Sequence, residues 1–135
     1  MENLASNLVI VAERGALRDS LHALMTALPH VNVICETDDI AEALQVITHQ
    51  SIDLILVGDD FPADEMWVFL RLIRRRSPRT LRLIFTDTVG HKTEMEAPGA
   101  EAVFLKGTMP NELVADIERM LTERIATSRL IQKSW

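Results

Sequence analysis

Apolar runs of strand length alternate along the chain with amphipathic stretches of helix length. Leu8 to Ala12 (LVIVA) and Leu54 to Val57 (LILV) are apolar at every position, which suits central strands of a parallel sheet covered by helices on both sides. Val31 to Cys35, Leu81 to Phe85 and Ala102 to Leu105 supply three more strands. Between the first two, Ala16 to Leu28 sets Leu17, Leu21, Leu24 and Leu28 at spacings of three and four, giving one helical stripe that Pro29 stops. Asp38 or Asp39 is placed to cap a second helix running to about Gln50, with Ile40, Ala43, Leu44 and Ile47 inward. A third helix follows Pro62, draws its buried face from Phe69, Leu70, Leu72 and Ile73, and ends near Ser77-Pro78. A fifth starts at Pro110-Asn111 and turns Leu113, Ile117, Met120, Leu121 and Ile125 inward. The fourth is the weak one. Between Thr86 and Gly99 the segment DTVGHKTEMEAP has few apolar residues, with Gly90 near its start and Pro98 at its end. A helix there is expected to be short or irregular, about two turns at most.

Strand followed by helix, five times over with short connections, implies right-handed crossovers and an α/β fold built on a doubly wound five-stranded parallel sheet. In such sheets functional groups gather beyond the carboxyl ends of the strands. The residues at those ends are Ala12 and Glu13 after the first strand, Gly58, Asp59 and Asp60 after the third, Thr86 and Asp87 after the fourth, and Lys106 after the fifth.

The 135 residues, 47% of them apolar, suit one globular domain with a full core. Fourteen Lys and Arg against 20 Asp and Glu leave a net charge of -6, which opposes a general affinity for nucleic-acid backbones or anionic membranes. A single cysteine, Cys35, has no partner for an internal disulfide or a metal cluster. The opening MENLASNLVIVAERG lacks a basic leader with a long apolar run, and no apolar run approaches the roughly 20 residues that span a bilayer. Together these lead us to expect a cytoplasmic protein.

The run DLILVGDDFP, the stretch LIFTDT and the closing GAEAVFLKGTMPNEL together resemble the receiver domain of two-component response regulators, from about Asn7 to Leu121. The last of these is most similar to receivers that precede a helix-turn-helix output domain. The resemblance implies flavodoxin-like topology with strand order 2-1-3-4-5. It also implies a receiver-like domain over residues 1–123, followed by a helical extension or linker over 124–135. An active receiver holds magnesium with two acids after its first strand and a phosphorylatable Asp after its third, while a hydroxyl residue and a Lys contact the phosphoryl oxygens. Hard cations need carboxylate oxygens, and an acyl phosphate needs a carboxylate nucleophile.

Aligned on that pattern, the phospho-acceptor position falls on Gly58, with Asp53 five places before it and Pro62 four places after it. The two acid positions fall on Ala12 and Glu13. Thr86 and Lys106 are retained, the aromatic switch position falls on Val103, and Gly107 replaces the proline after the lysine. Phosphoryl acceptance is therefore expected to be lost, with no metal and no cofactor. Strand alternation turns Asp59 to the opposite face and carries Asp60 about 6 to 7 Å along, so neither is expected at the Thr86 and Lys106 donors unless the loop is rebuilt. Lys106 is expected to pair with Glu13 or Asp59. The alternative is a residual anion or ligand pocket at Ala12, Glu13, Gly58, Asp59, Thr86 and Lys106, widened by the missing side chain.

Elsewhere, Arg71, Arg74, Arg75, Arg76, Arg79 and Arg82 form the one basic concentration and are expected on a solvated face. His22, His30, His49 and His91 show no ligand spacing. Cys35 fits a small core residue, and Trp67 an interface anchor or a half-buried side chain. An apolar stripe continues through Ile125 towards Leu130 and Ile131, which suits a dimerising arm or a linker.

The expectation is a phosphorylation-independent, receiver-like signalling or transcription-regulatory module, not an enzyme. It would act through a protein partner or as a homodimer, on the face of the fourth helix, fifth strand and fifth helix that phosphorylated relatives use. Two alternatives are a phosphorelay receiver phosphorylated on Asp59 or Asp60, and a small-ligand sensor using the vestigial pocket.

Overall fold

A computed structural model describes residues 5–87 and 100–133, with side chains to residue 123. The elements run β1 (Ser6–Val11), α1 (Ala16–Thr26), β2 (Val31–Thr37), α2 (Ile40–His49), β3 (Leu54–Gly58), α3 (Ala63–Arg76), β4 (Leu81–Thr86) and β5 (Ala102–Leu105). The expected fifth helix follows as α4 (Pro110–Lys133), and the expected short fourth helix falls on 88–99, outside the described residues.

All strand pairs are parallel, in the order β2-β1-β3-β4-β5. The apolar runs explain why β1 and β3 lie inside: Leu8 to Ala12 and Leu54 to Val57 are fully buried, since helices cover both faces. Alternation divides them between two cores. Val9, Val11, Ile55 and Val57 pack towards α2 and α3 with Ala43, Ile47, Met66 and Phe69. Leu8, Ile10, Leu54 and Leu56 pack towards α1 and α4 with Leu21, Met25, Leu113 and Ile117.

The helices begin and end for local reasons. Asp39 caps α2, its carboxylate accepting from the Ala41 and Glu42 amides at 2.9 and 3.4 Å. Gly15, at φ 156°, precedes α1 in a backbone region that disfavours side chains. Helix α1 closes at Thr26, two residues short of the expected Leu28, and Met25 takes a buried position that the leucine stripe did not include. In α3, Met66 joins Phe69, Leu70 and Ile73 inside, while Leu72 is only half-buried.

Arg82 departs from the expected solvated arginines: it is 2% exposed, on the α3 side of β4. Its guanidinium donates to Glu101 Oε1 and Oε2 at 3.1 and 2.7 Å and to the Leu70 carbonyl at 3.2 Å. The planar fork of arginine matches a carboxylate edge, which is how a cation is held in the interior. Arg71, Arg74, Arg75, Arg76 and Arg79 are exposed. Among the described residues no helix is long and apolar enough to cross a membrane.

Candidate functional site at the carboxyl edge of the sheet

Beyond the carboxyl ends of β3, β4 and β5, Asp59 joins two of the residues singled out in the sequence. Its Oδ2 accepts the Thr86 hydroxyl at 2.6 Å, and its Oδ1 lies 2.8 Å from Lys106 Nζ. The Asp87 amide adds a longer bond to Oδ2 at 3.4 Å. This contact corrects the expectation that Asp59 would face away. Alternation governs residues within a strand, and Asp59 is the first residue past the end of β3. Its amide still donates to the Phe85 carbonyl at 3.0 Å, which holds the backbone beside β4 while the side chain turns towards the donors.

The electrostatics follow from this clasp. Burial pushes the Asp59 carboxyl up, but the Lys106 ammonium and the Thr86 hydroxyl outweigh it and hold the group below its usual range. Burial likewise pulls the Lys106 ammonium down, and Asp59, Asp60 and Asp87 outweigh that and raise it. Asp60 Oδ1 and Asp87 Oδ2 each lie 3.7 Å from Lys106 Nζ, so the lysine is the hub of three carboxylates. Glu13, the other expected partner, is exposed and contributes its backbone amide instead, donating to Asp60 Oδ2 at 3.1 Å.

Among the described residues, side chains fill the space beside Gly58. A β-carbon placed there would lie 2.9 Å from Asp60 Oδ2, 3.1 Å from Leu17 Cδ2 and 3.3 Å from the Ala12 β-carbon. The carboxylate of Asp60 folds back over the glycine, held by the Glu13 amide. Sequence reading did not place Asp60 or Leu17 against Gly58, because neither contact is set by strand alternation: one comes from a loop and the other from α1. Val103 is buried towards α2 and α3, whereas Phe104 faces the other core and stacks on Phe85 with ring centroids 5.6 Å apart, as alternation requires.

The donor set does not suit the magnesium that the family resemblance implies. Asp59 is committed to Thr86 and Lys106, Asp60 to the Glu13 amide, and Ala12 and Gly58 bring no side-chain oxygen. An ammonium already sits among the carboxylates, and among the described residues no three His, Cys, Asp or Glu side chains are placed to hold a metal ion.

Other candidates lie apart from this edge. Cys35 is half-buried, and burial together with nearby Glu42 raises its thiol. His22 bonds the Glu36 carboxylate, which also lies 3.8 Å from Arg18.

No family description matches this chain, and no curated protein matches it in sequence. Its fold is similar to solved receiver structures. A LuxR-family response regulator from Aurantimonas sp. SI85-9A1 is 22% identical, with 93% of this chain and 99% of that one covered and a TM-score of 0.75. The signal receiver domain of NarL from Mycobacterium tuberculosis is 21% identical, with 87% and 97% covered and a TM-score of 0.75. RcsB of Salmonella typhimurium is 14% identical at a TM-score of 0.75, and this chain, 89% covered, spans 61% of it. The chain has the receiver fold.

Proposed function

We propose that this receiver-fold chain is a signalling or transcription-regulatory module that works by contact between proteins and without aspartyl phosphorylation. One observation carries the reading: the Asp59 carboxylate bridges Thr86 and Lys106, the two donors that the resemblance assigns to phosphoryl oxygens. With glycine at the acceptor position, an internal anion takes up both donors without chemistry. The module then stays in one state, stabilised by its own side chain, and what it transmits is set by what it touches. The reading assigns no catalytic group.

A second reading, phosphoryl acceptance by Asp59 itself, draws on the same proximity. Against it, the Asp59 side chain is 8% exposed and both its oxygens are engaged. An incoming phosphoryl donor would have to displace Lys106 or Thr86 before the carboxylate could attack. The sensor alternative is weakened by Asp60, which fills the space over Gly58.

The test is incubation of the folded chain with acetyl phosphate and magnesium, beside an active receiver as control, followed by intact mass. The expected result is an unchanged mass while the control gains a phosphoryl group. An acid-stable, base-labile adduct that disappears in Asp59→Asn or Asp60→Asn would overturn the proposal in favour of the second reading.

A further inference from the structure

We propose that α3 pairs two copies of this chain, its outward face packing antiparallel on the same face of the second copy about a two-fold axis. Opposite the buried Met66, Phe69, Leu70 and Ile73, the outward stripe of α3 is Asp64, Val68, Arg71 and Arg75, at spacings of four, three and four. All four residues are exposed, Val68 at 54%.

The stripe is acidic at its start, apolar in the middle and basic towards its end. A two-fold contact is self-complementary: whatever residue i meets in the second copy meets residue i in return. With the axis midway between Val68 and Arg71, Asp64 of each copy faces Arg75 of the other, and Val68 lies under the aliphatic stem of the other Arg71. The flanks agree. Glu65 and Arg76 share one side, and Trp67, 38% exposed, shares the other with Arg74, an indole and a guanidinium that attract when stacked. A parallel pairing would set acid on acid and base on base.

Two further observations favour a second copy over another occupant. Among the described residues, no ion pair within the chain uses Asp64, Glu65, Arg71, Arg74, Arg75 or Arg76, although the chain carries an excess of acids that could neutralise the arginines. A purely acidic partner would match the arginines but leave Asp64 and Glu65 facing like charge. Beside the stripe, Ile40, Val68, Phe69 and Leu72, with Asp64 and Glu65 at the rim, line a shallow, mainly apolar groove of about 320 Å³ that extends the contact past a single helix. The composition, tryptophan and arginine about an apolar centre, is that of interface hot spots.

The pairing does not rest on the state of Asp59, and its test has a separate readout. Sedimentation equilibrium of the full chain from micromolar to millimolar concentration should show a monomer–dimer equilibrium that loosens at high salt. Arg71→Glu with Arg75→Glu makes the stripe acidic throughout, and Asp64→Arg with Glu65→Arg makes it basic throughout. Each double variant alone should self-associate at least about tenfold more weakly. Mixed in equal amounts, the two should form a heterodimer, a rescue that a merely misfolded variant cannot give. Far-UV circular dichroism checks that each is folded, and Val68→Lys supplies a third variant expected to be monomeric. A chain that stays monomeric throughout, a dimer insensitive to both reversals, or a mixture that fails to pair would overturn the proposal.

Discussion

Asp60 occupies the space above Gly58, its Oδ2 lying 2.9 Å from where a β-carbon on that glycine would stand. The glycine and the back-folded aspartate are therefore one arrangement: a side chain at residue 58 would displace the Asp60 carboxylate from its place over the strand end.

Replacing Gly58 with alanine is expected to displace the Asp60 carboxylate from the Glu13 amide and to press on Leu17. The net loss is about 1 kcal/mol, the lost hydrogen bond and crowding outweighing the stabilisation that comes from a less flexible unfolded chain. In an Asp60→Ala background most of the crowding is gone, and Gly58→Ala should become neutral or slightly stabilising. A double-mutant cycle by urea unfolding measures the difference, and equal effects in both backgrounds would refute the coupling.

Removing the carboxylate at Asp59 should cost about 1 to 3 kcal/mol, because it leaves the Lys106 ammonium and the Thr86 hydroxyl without their shared acceptor. Asp59→Ala is expected at the upper end of that range. Asp59→Asn keeps one acceptor oxygen and should be milder. Chemical denaturation at neutral pH reads both, and a loss within error of zero would mean that the clasp contributes nothing to stability.

The same pair sets a pH dependence whose sign follows from the two shifts. The Asp59 carboxyl is lowered in the folded chain from its ordinary 3.8, so its stabilisation is complete above that value and is lost as pH falls through the folded value. The Lys106 ammonium is raised from its ordinary 10.5, so its stabilisation is complete below that value and is lost as pH rises through the folded one. The stability gap between the native chain and Asp59→Asn should therefore be flat across neutral pH and shrink at both extremes. Urea midpoints across the pH range test this, and a gap that changed around neutrality would point to another group.

Arg82 and Glu101 give the largest expected loss. Arg82→Ala removes a buried cation and leaves Glu101 without its fork, at a cost of about 3 kcal/mol or more. The paired change Arg82→Met with Glu101→Leu removes both charges together and should be appreciably milder than the single substitution. Thermal and urea unfolding of the three forms decide it. If the paired change were the worse, the ion pair would be worth more than the cost of its desolvation.

Much of the fold was legible because it depends on local pattern. Runs apolar on every position marked β1 and β3 as central strands, and Asp39 could be named as one of two caps for α2. The buried state of Arg82 was not legible, because its partner Glu101 stands 19 positions away beyond a crossover and only the sheet brings them together. At the candidate site, the sequence supplied Thr86, Lys106 and the glycine. It named Asp59 as one of two partners for Lys106 but turned the side chain the other way, since the rule that fixes side-chain direction within a strand does not reach the residue past its end.

Strand β5, four residues long and at the margin of the sheet, is fastened at both ends by charge: Glu101 to Arg82 before it and Lys106 to Asp59 after it. A margin this short would ordinarily fray on its own. Riveted twice, it can peel away only if both fasteners let go together, so those of its amide hydrogens that bond to β4 should exchange with solvent at rates nearer those of the interior strands than those of a loose border.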